Sequence, residues 1–127
     1  MESKWKNKNF KQALENSING IKYILKNERN FKIQLIFAFL ALMIGIVLRL
    51  SFVQFAIIVM VIFLVLLTEF LNTVVEVIVD MYTEEYNEKA KIAKDVSAGA
   101  VTLMAICSII IGALIYSPRI IYLIMFN

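Results

Sequence analysis

Glu69, Asn72, Glu76 and Asp80 recur every three or four residues through TEFLNTVVEVIVD, and at about 100° per residue a helix gathers them into a narrow arc of one face. Leu, Val and Ile fill the other faces. An ionisable group in such an apolar run costs about 2.5–3.5 kcal/mol on membrane-insertion scales, so a row of them marks a site that binds or reacts. Carboxylate oxygens suit hard divalent cations such as magnesium, which keep waters and phosphate oxygens as their other ligands. A carboxylate beside a bound hydroxyl also serves as a general base, and a lysine holds phosphate. Lys94 and Asp95 stand where a later apolar segment begins, placed to meet the same ligand. Acids, amide and lysine together suit phosphoryl transfer from a nucleotide to a membrane-embedded alcohol.

The elements that position these groups follow from composition. The 127 residues are 61% hydrophobic with a single Pro and a mean hydropathy of +0.78, too apolar for a soluble fold of that size. The expected architecture is an all-α integral membrane protein, one domain over residues 1–127. Three runs are long enough to cross a hydrocarbon core that needs about 20 helical residues: 33–50, 52–79 and 96–116. The second exceeds the bilayer, so its acidic end from Glu69 onward reaches the interface. Between Phe10 and Leu25 apolar residues recur at helical spacing opposite Lys11, Lys22 and Lys26, which predicts an amphipathic surface helix over about 8–29, with its cations toward anionic bilayer lipids.

Charge orients the chain, because Lys and Arg near span ends stay cytoplasmic. Eight of the thirteen basic residues, Lys4 among them, precede the first span, and Lys89, Lys91 and Lys94 fall in the polar connection 80–95. The N-terminus, that connection and the acidic site therefore face the cytosol, while Arg49 and Arg119 face outward. The first thirty residues hold no apolar core with a cleavage site, so no cleaved signal peptide is expected.

Other chemistries are narrowed by what the chain lacks. It has no Gly-rich phosphate loop and no protein-kinase signature. Without histidine there is no Ser-His-Asp triad and no histidine metal site, and Cys107, alone, forms neither an internal disulfide nor a cysteine metal site. Nucleic acid is not among the expected partners. A carboxylate-lined ion or proton pathway is the alternative of a different class. It needs polar residues across the whole membrane, yet the chain holds no charged residue between Lys32 and Arg49 or between Asp95 and the C-terminal tail, and the outer half of the second span has only Gln54.

The run EFLNTVVEVIVD, followed by EEYNEKAKIAKDVSAGAV and preceded by KNERNFKIQL, closely resembles the small prokaryotic membrane kinases of diacylglycerol and undecaprenol. The resemblance extends with correct spacing over about residues 10–115. It implies ATP as co-substrate, Mg2+ as cofactor, and a homotrimer with active sites shared between subunits. By composition alone, Ala98, Ala105 and Gly112 permit close helix approach either within one chain or between chains.

Carried over residue by residue, the resemblance makes Glu69 the general base for the lipid hydroxyl. Glu28 and Glu76 become the magnesium ligands, and Asn72 orients the acceptor or a phosphate oxygen. Glu85, Tyr86 and Asn87 match a nucleotide-binding segment, Lys94 and Asp95 an element that holds phosphates and adenosine, and Asp80 supports a basic residue of the cluster. Glu28 comes from the resemblance alone. The chain departs from the pattern at Asn87, where His is common, at Gln34, where His or Glu is frequent, and at Asn9, where some members have Arg. KNERNF and the Lys, Ile and Asn-rich composition look more like the Gram-positive branch, which implies undecaprenol as acceptor, with diacylglycerol the alternative.

Overall fold

The computed structural model describes residues 6–126, so Lys4, counted above among the N-terminal cations, lies outside it. The described chain is four helices, α1 (Phe10–Asn27), α2 (Arg29–Val47), α3 (Phe52–Tyr82) and α4 (Glu88–Phe126), with no strand among the described residues.

Local chemistry fixes each boundary. Asn9 caps α1, its Oδ1 accepting from the Gln12 N–H at 2.9 Å, which satisfies one of the donors a helix start leaves unpaired. That role occupies the acceptor of the Asn9 side chain. Glu28 alone separates α1 from α2. Its backbone is extended, with φ −97° and ψ 109°, while its N–H still bonds to the Ile24 carbonyl at 2.8 Å. A one-residue break thus turns the chain and leaves the Glu28 carboxylate at the corner between the two helices.

The far end of α2 closes with Arg49 in the left-handed region at φ 52°, its N–H bonding to Ile46 O and that of Leu50 to Gly45 O, the paired pattern of a Schellman cap. Arg119 of α4 donates to the Arg49 carbonyl at 2.8 Å and Tyr116 to the Ala41 carbonyl at 2.7 Å, tying α4 to α2 at this end. Gly45 is buried here, because a Cβ on it would meet Leu50 and Phe55 side chains at 3.2 and 3.3 Å. Ser51 and Gln54 then form a reciprocal capping box that starts α3.

At 31 residues and about 1.5 Å per residue, α3 is longer than a hydrocarbon core of about 30 Å. It is the central helix, packing on α4 and on α2, while α1 packs on α2. Ile58 and Val61 are buried in its first half, and Glu69, Asn72 and Thr73 in its second. Most other large apolar side chains of the three long helices point outward, Phe37, Phe63, Leu71, Leu103 and Leu114 among them, a surface that suits lipid or another copy better than water.

The polar connection expected over 80–95 shrinks to residues 83–87, because α4 begins at Glu88. Asn87 Oδ1 accepts from the Ala90 N–H at 3.1 Å, and Glu, Lys and Ala are all strong helix formers. Reading the third span from its apolar residues alone missed these two charged turns. At the other end α4 runs past residue 116 to Phe126, through Pro118, whose ring removes one backbone donor without ending the helix.

Candidate active site

The most enclosed side chain in the described protein is a carboxylate. Glu69 is 1% exposed, held by α3 beneath the N-terminal half of α2, where Phe31 and Phe70 pack edge to face at 5.3 Å. Gln34, one helical turn along α2 from Phe31, donates from Nε2 to Glu69 Oε2 at 3.0 Å. The Gln34 Oε1 atom is buried with no hydrogen-bond partner, an acceptor left over at the carboxylate. Thr73 fastens the next turn of α3 by donating to the Glu69 carbonyl at 3.1 Å.

Glu28, at the corner between α1 and α2, and Glu76, on the same face of α3, both lie within electrostatic reach of Glu69. The salt bridges among the described residues are Lys91 with Asp95 and Lys94 with Asp80, and neither draws on this trio. No group of three His, Cys, Asp or Glu side chains stands close enough to hold a metal among the described residues. One or two carboxylates completed by waters and phosphate oxygens is, however, the ordinary manner of magnesium binding. Glu28 and Glu76 are oxygen donors of the kind that ion takes, with a nucleotide supplying the rest.

Asn72 joins this group to α4. Its Nδ2 donates to Glu76 Oε1 at 3.2 Å, and its Oδ1 accepts from Ser97 Oγ at 2.7 Å. Beyond them a polar cleft of about 720 Å³ is lined by Asp80, Glu85, Tyr86, Asn87, Lys94 and Asp95 with their neighbours. Within it Lys94 Nζ donates to Asp80 at 2.6 Å. This hydrogen bond, helped by the charges of Asp80 and Glu76, holds the Lys94 ammonium above the usual lysine range, so it stays cationic. Asp95 pairs with Lys91 one turn back on α4. The Asn87 acceptor is committed to its helix cap, so its amide N–H groups are what it offers a ligand.

On the opposite side of Glu69, an apolar cavity of about 420 Å³ begins at Gln34 and runs between α2, α3 and α4 past Ala41, Val61, Val65 and Ser108 to Tyr116. The helix that carries the buried carboxylate thus runs from a greasy cavity to a charged cleft.

The sequence-predicted residues fall into two adjoining sets: Glu28, Glu69, Asn72 and Glu76 around the carboxylates, and Asp80, Glu85, Tyr86, Asn87, Lys94 and Asp95 in the cleft. Two participants come from outside that prediction. Gln34 stood out only as a departure from a family pattern, although a lone amide early in an apolar span carries the same signal as Asn72. Ser97 sits in a run of small residues, and nothing local separates it from ordinary helix packing.

A family model described as prokaryotic diacylglycerol kinase matches residues 15–116. The undecaprenol kinase of Bacillus subtilis (strain 168) is 37% identical over 100 residues, which cover 79% of this chain and 81% of that protein.

Proposed function

The chain belongs to the prokaryotic diacylglycerol kinase family and is a membrane lipid kinase; from that premise we propose that it transfers the γ-phosphate of ATP directly to the hydroxyl of undecaprenol, giving undecaprenyl phosphate. The observation that carries this reading is the position of Glu69, buried and oriented by Gln34, on a helix that runs from an apolar cavity to a charged cleft holding Lys94.

The lipid chain lies along the apolar cavity with its hydroxyl at Glu69. Its O–H meets two acceptors there, the Glu69 carboxylate and the unpartnered Gln34 carbonyl. Lys94 draws the nucleotide phosphates to the cleft, leaving Asp80 for them, while Glu85, Tyr86 and the Asn87 amide border the adenosine end. Glu28 and Glu76 would hold Mg2+, which when bound would neutralise charge on the phosphates. Glu69 takes the hydroxyl proton as the lipid oxygen attacks the γ-phosphorus. The bond to the bridging oxygen breaks, ADP leaves, and Glu69 returns the proton to water. Positioning and charge neutralisation supply most of the acceleration in such a transfer.

The cytoplasmic membrane of a bacterium fits this chemistry, with the N-terminus and cleft on the ATP side, as the distribution of Lys and Arg implies. Helix α1 lies in the headgroup region, its exposed Phe10, Leu14, Ile18 and Ile21 toward the acyl chains and its lysines toward anionic lipid. The outward apolar faces of the long helices are covered by bilayer and by two further copies in a homotrimer that shares its sites.

Diacylglycerol is the competing acceptor. Undecaprenol is favoured by the name of the relative above and by the cavity, whose apolar walls offer little to the two ester groups a diacylglycerol brings. Side-by-side assay of labelled γ-phosphate transfer to the two lipids in mixed micelles tests this: faster labelling of undecaprenol is expected. Preferential labelling of diacylglycerol would move the protein to phosphatidic acid synthesis.

A further inference from the structure

Ser97 lies one helical turn beyond Lys94 on α4, at the contact between α4 and α3. Its hydroxyl has two acceptors within reach, Asn72 Oδ1 at 2.7 Å and the Lys94 carbonyl at 3.0 Å on its own helix. A hydroxyl carries one proton, so it serves one of them at a time. Asn72 is buried, and its Nδ2 donates onward to Glu76 Oε1 at 3.2 Å.

The direction of this chain of bonds matters. A primary amide has an acceptor end and a donor end, and the two are exchanged by a half-turn of the group. With Oδ1 engaged by the serine, Nδ2 faces Glu76. In the reversed orientation Oδ1 would oppose a carboxylate oxygen, acceptor against acceptor, and the brace on Glu76 would become a repulsion. Where Ser97 instead turns its proton to the Lys94 carbonyl, Asn72 Oδ1 loses that donor, and Glu76 alone is left to hold the amide in this orientation.

We propose that Ser97 is a positioning residue for divalent-metal binding: by donating to Asn72 it fixes the amide so that Nδ2 braces Glu76, leaving the other carboxylate oxygen presented to the ion. This rests on Glu76 being a metal ligand, as assigned above. Groups outside the coordination sphere that orient a ligating carboxylate commonly alter metal affinity by about 10–100-fold. Because Ser97 shares a helical turn with Lys94, the same seating of α4 places the phosphate-holding ammonium and the brace on the metal ligand.

The test is direct binding of manganese, followed by electron paramagnetic resonance, to the full chain in detergent micelles with a non-hydrolysable ATP analogue. S97A should weaken manganese binding about tenfold, S97T, which keeps the hydroxyl, should restore it, and S97A should add nothing in an N72A background. In turnover, S97A should raise the metal concentration needed for half-maximal rate more than it lowers kcat. Helical content and thermal melting establish that the variants are folded. Wild-type manganese affinity in S97A, alongside weakened binding in E76Q, overturns the role of Ser97 alone. Wild-type affinity in E76Q overturns the metal assignment and the proposal with it. A loss in S97A that persists in N72A means that the serine acts by another route, which also overturns it.

Discussion

Glu69→Gln is expected to lower phosphoryl transfer to the lipid by about 10²–10⁴-fold, the range a general base commonly contributes, while the fold and ATP binding are retained. The substitution keeps shape and volume. It also keeps an oxygen able to accept from Gln34 Nε2, which now bonds to Glu69 at 3.0 Å, so the local geometry survives. What it removes is the capacity to accept a proton from the attacking hydroxyl. Because a neutral amide is cheaper to bury than a carboxylate, the melting temperature in detergent should stay level or rise. Turnover, nucleotide binding and thermal melting measured on the same preparation separate these effects. Activity close to wild type in the variant would remove Glu69 as the base and leave its burial without a catalytic explanation.

Glu76→Gln should act on a different axis. Glu76 is half-buried on the same face of α3 and already receives Asn72 Nδ2 at 3.2 Å, a bond the amide oxygen of Gln can still accept. The change therefore deletes charge while leaving the neighbourhood in place. Magnesium depends on carboxylate charge for its few protein contacts, so the concentration giving half-maximal rate should rise by about tenfold or more. Much of the loss in rate should return at high magnesium. In Glu69→Gln, by contrast, no magnesium concentration should restore activity. Superimposable magnesium titrations for wild type and Glu76→Gln would take Glu76 out of the metal site.

The difference between these two carboxylates was partly visible in the sequence and partly not. Hydropathy located three apolar helices because a bilayer imposes a length that no other constraint blurs. Helical periodicity placed Glu69, Asn72 and Glu76 on one face, since the alternation of acids with Leu, Val and Ile has only one helical reading. The structure adds that this face leaves the packed region along its length: Glu69 and Asn72 are buried, Glu76 is half-buried, and Asp80 is exposed beside Lys94.

Hydropathy failed at the start of α4 for a physical reason. It measures transfer to an apolar phase, whereas Glu88, Lys89 and Lys91 are helical through backbone propensity and the Asn87 cap. The placement of Glu28 depends on a single extended residue between two helices, with neither Gly nor Pro to announce it. Residue 28 comes within electrostatic reach of residue 69 only once α2 has folded back against α3. Gln34 and Ser97 were hidden similarly, because their partners lie 35 and 25 residues away on another helix.

The central claim is direct transfer from nucleotide to lipid hydroxyl at the Glu69 site, with no phosphorylated form of the protein between them. ATP whose γ-phosphate is made chiral with oxygen isotopes tests that claim most directly, through the configuration at phosphorus in the isolated undecaprenyl phosphate. A single in-line displacement predicts inversion. Retention would require two displacements through a phosphorylated side chain and would contradict the account.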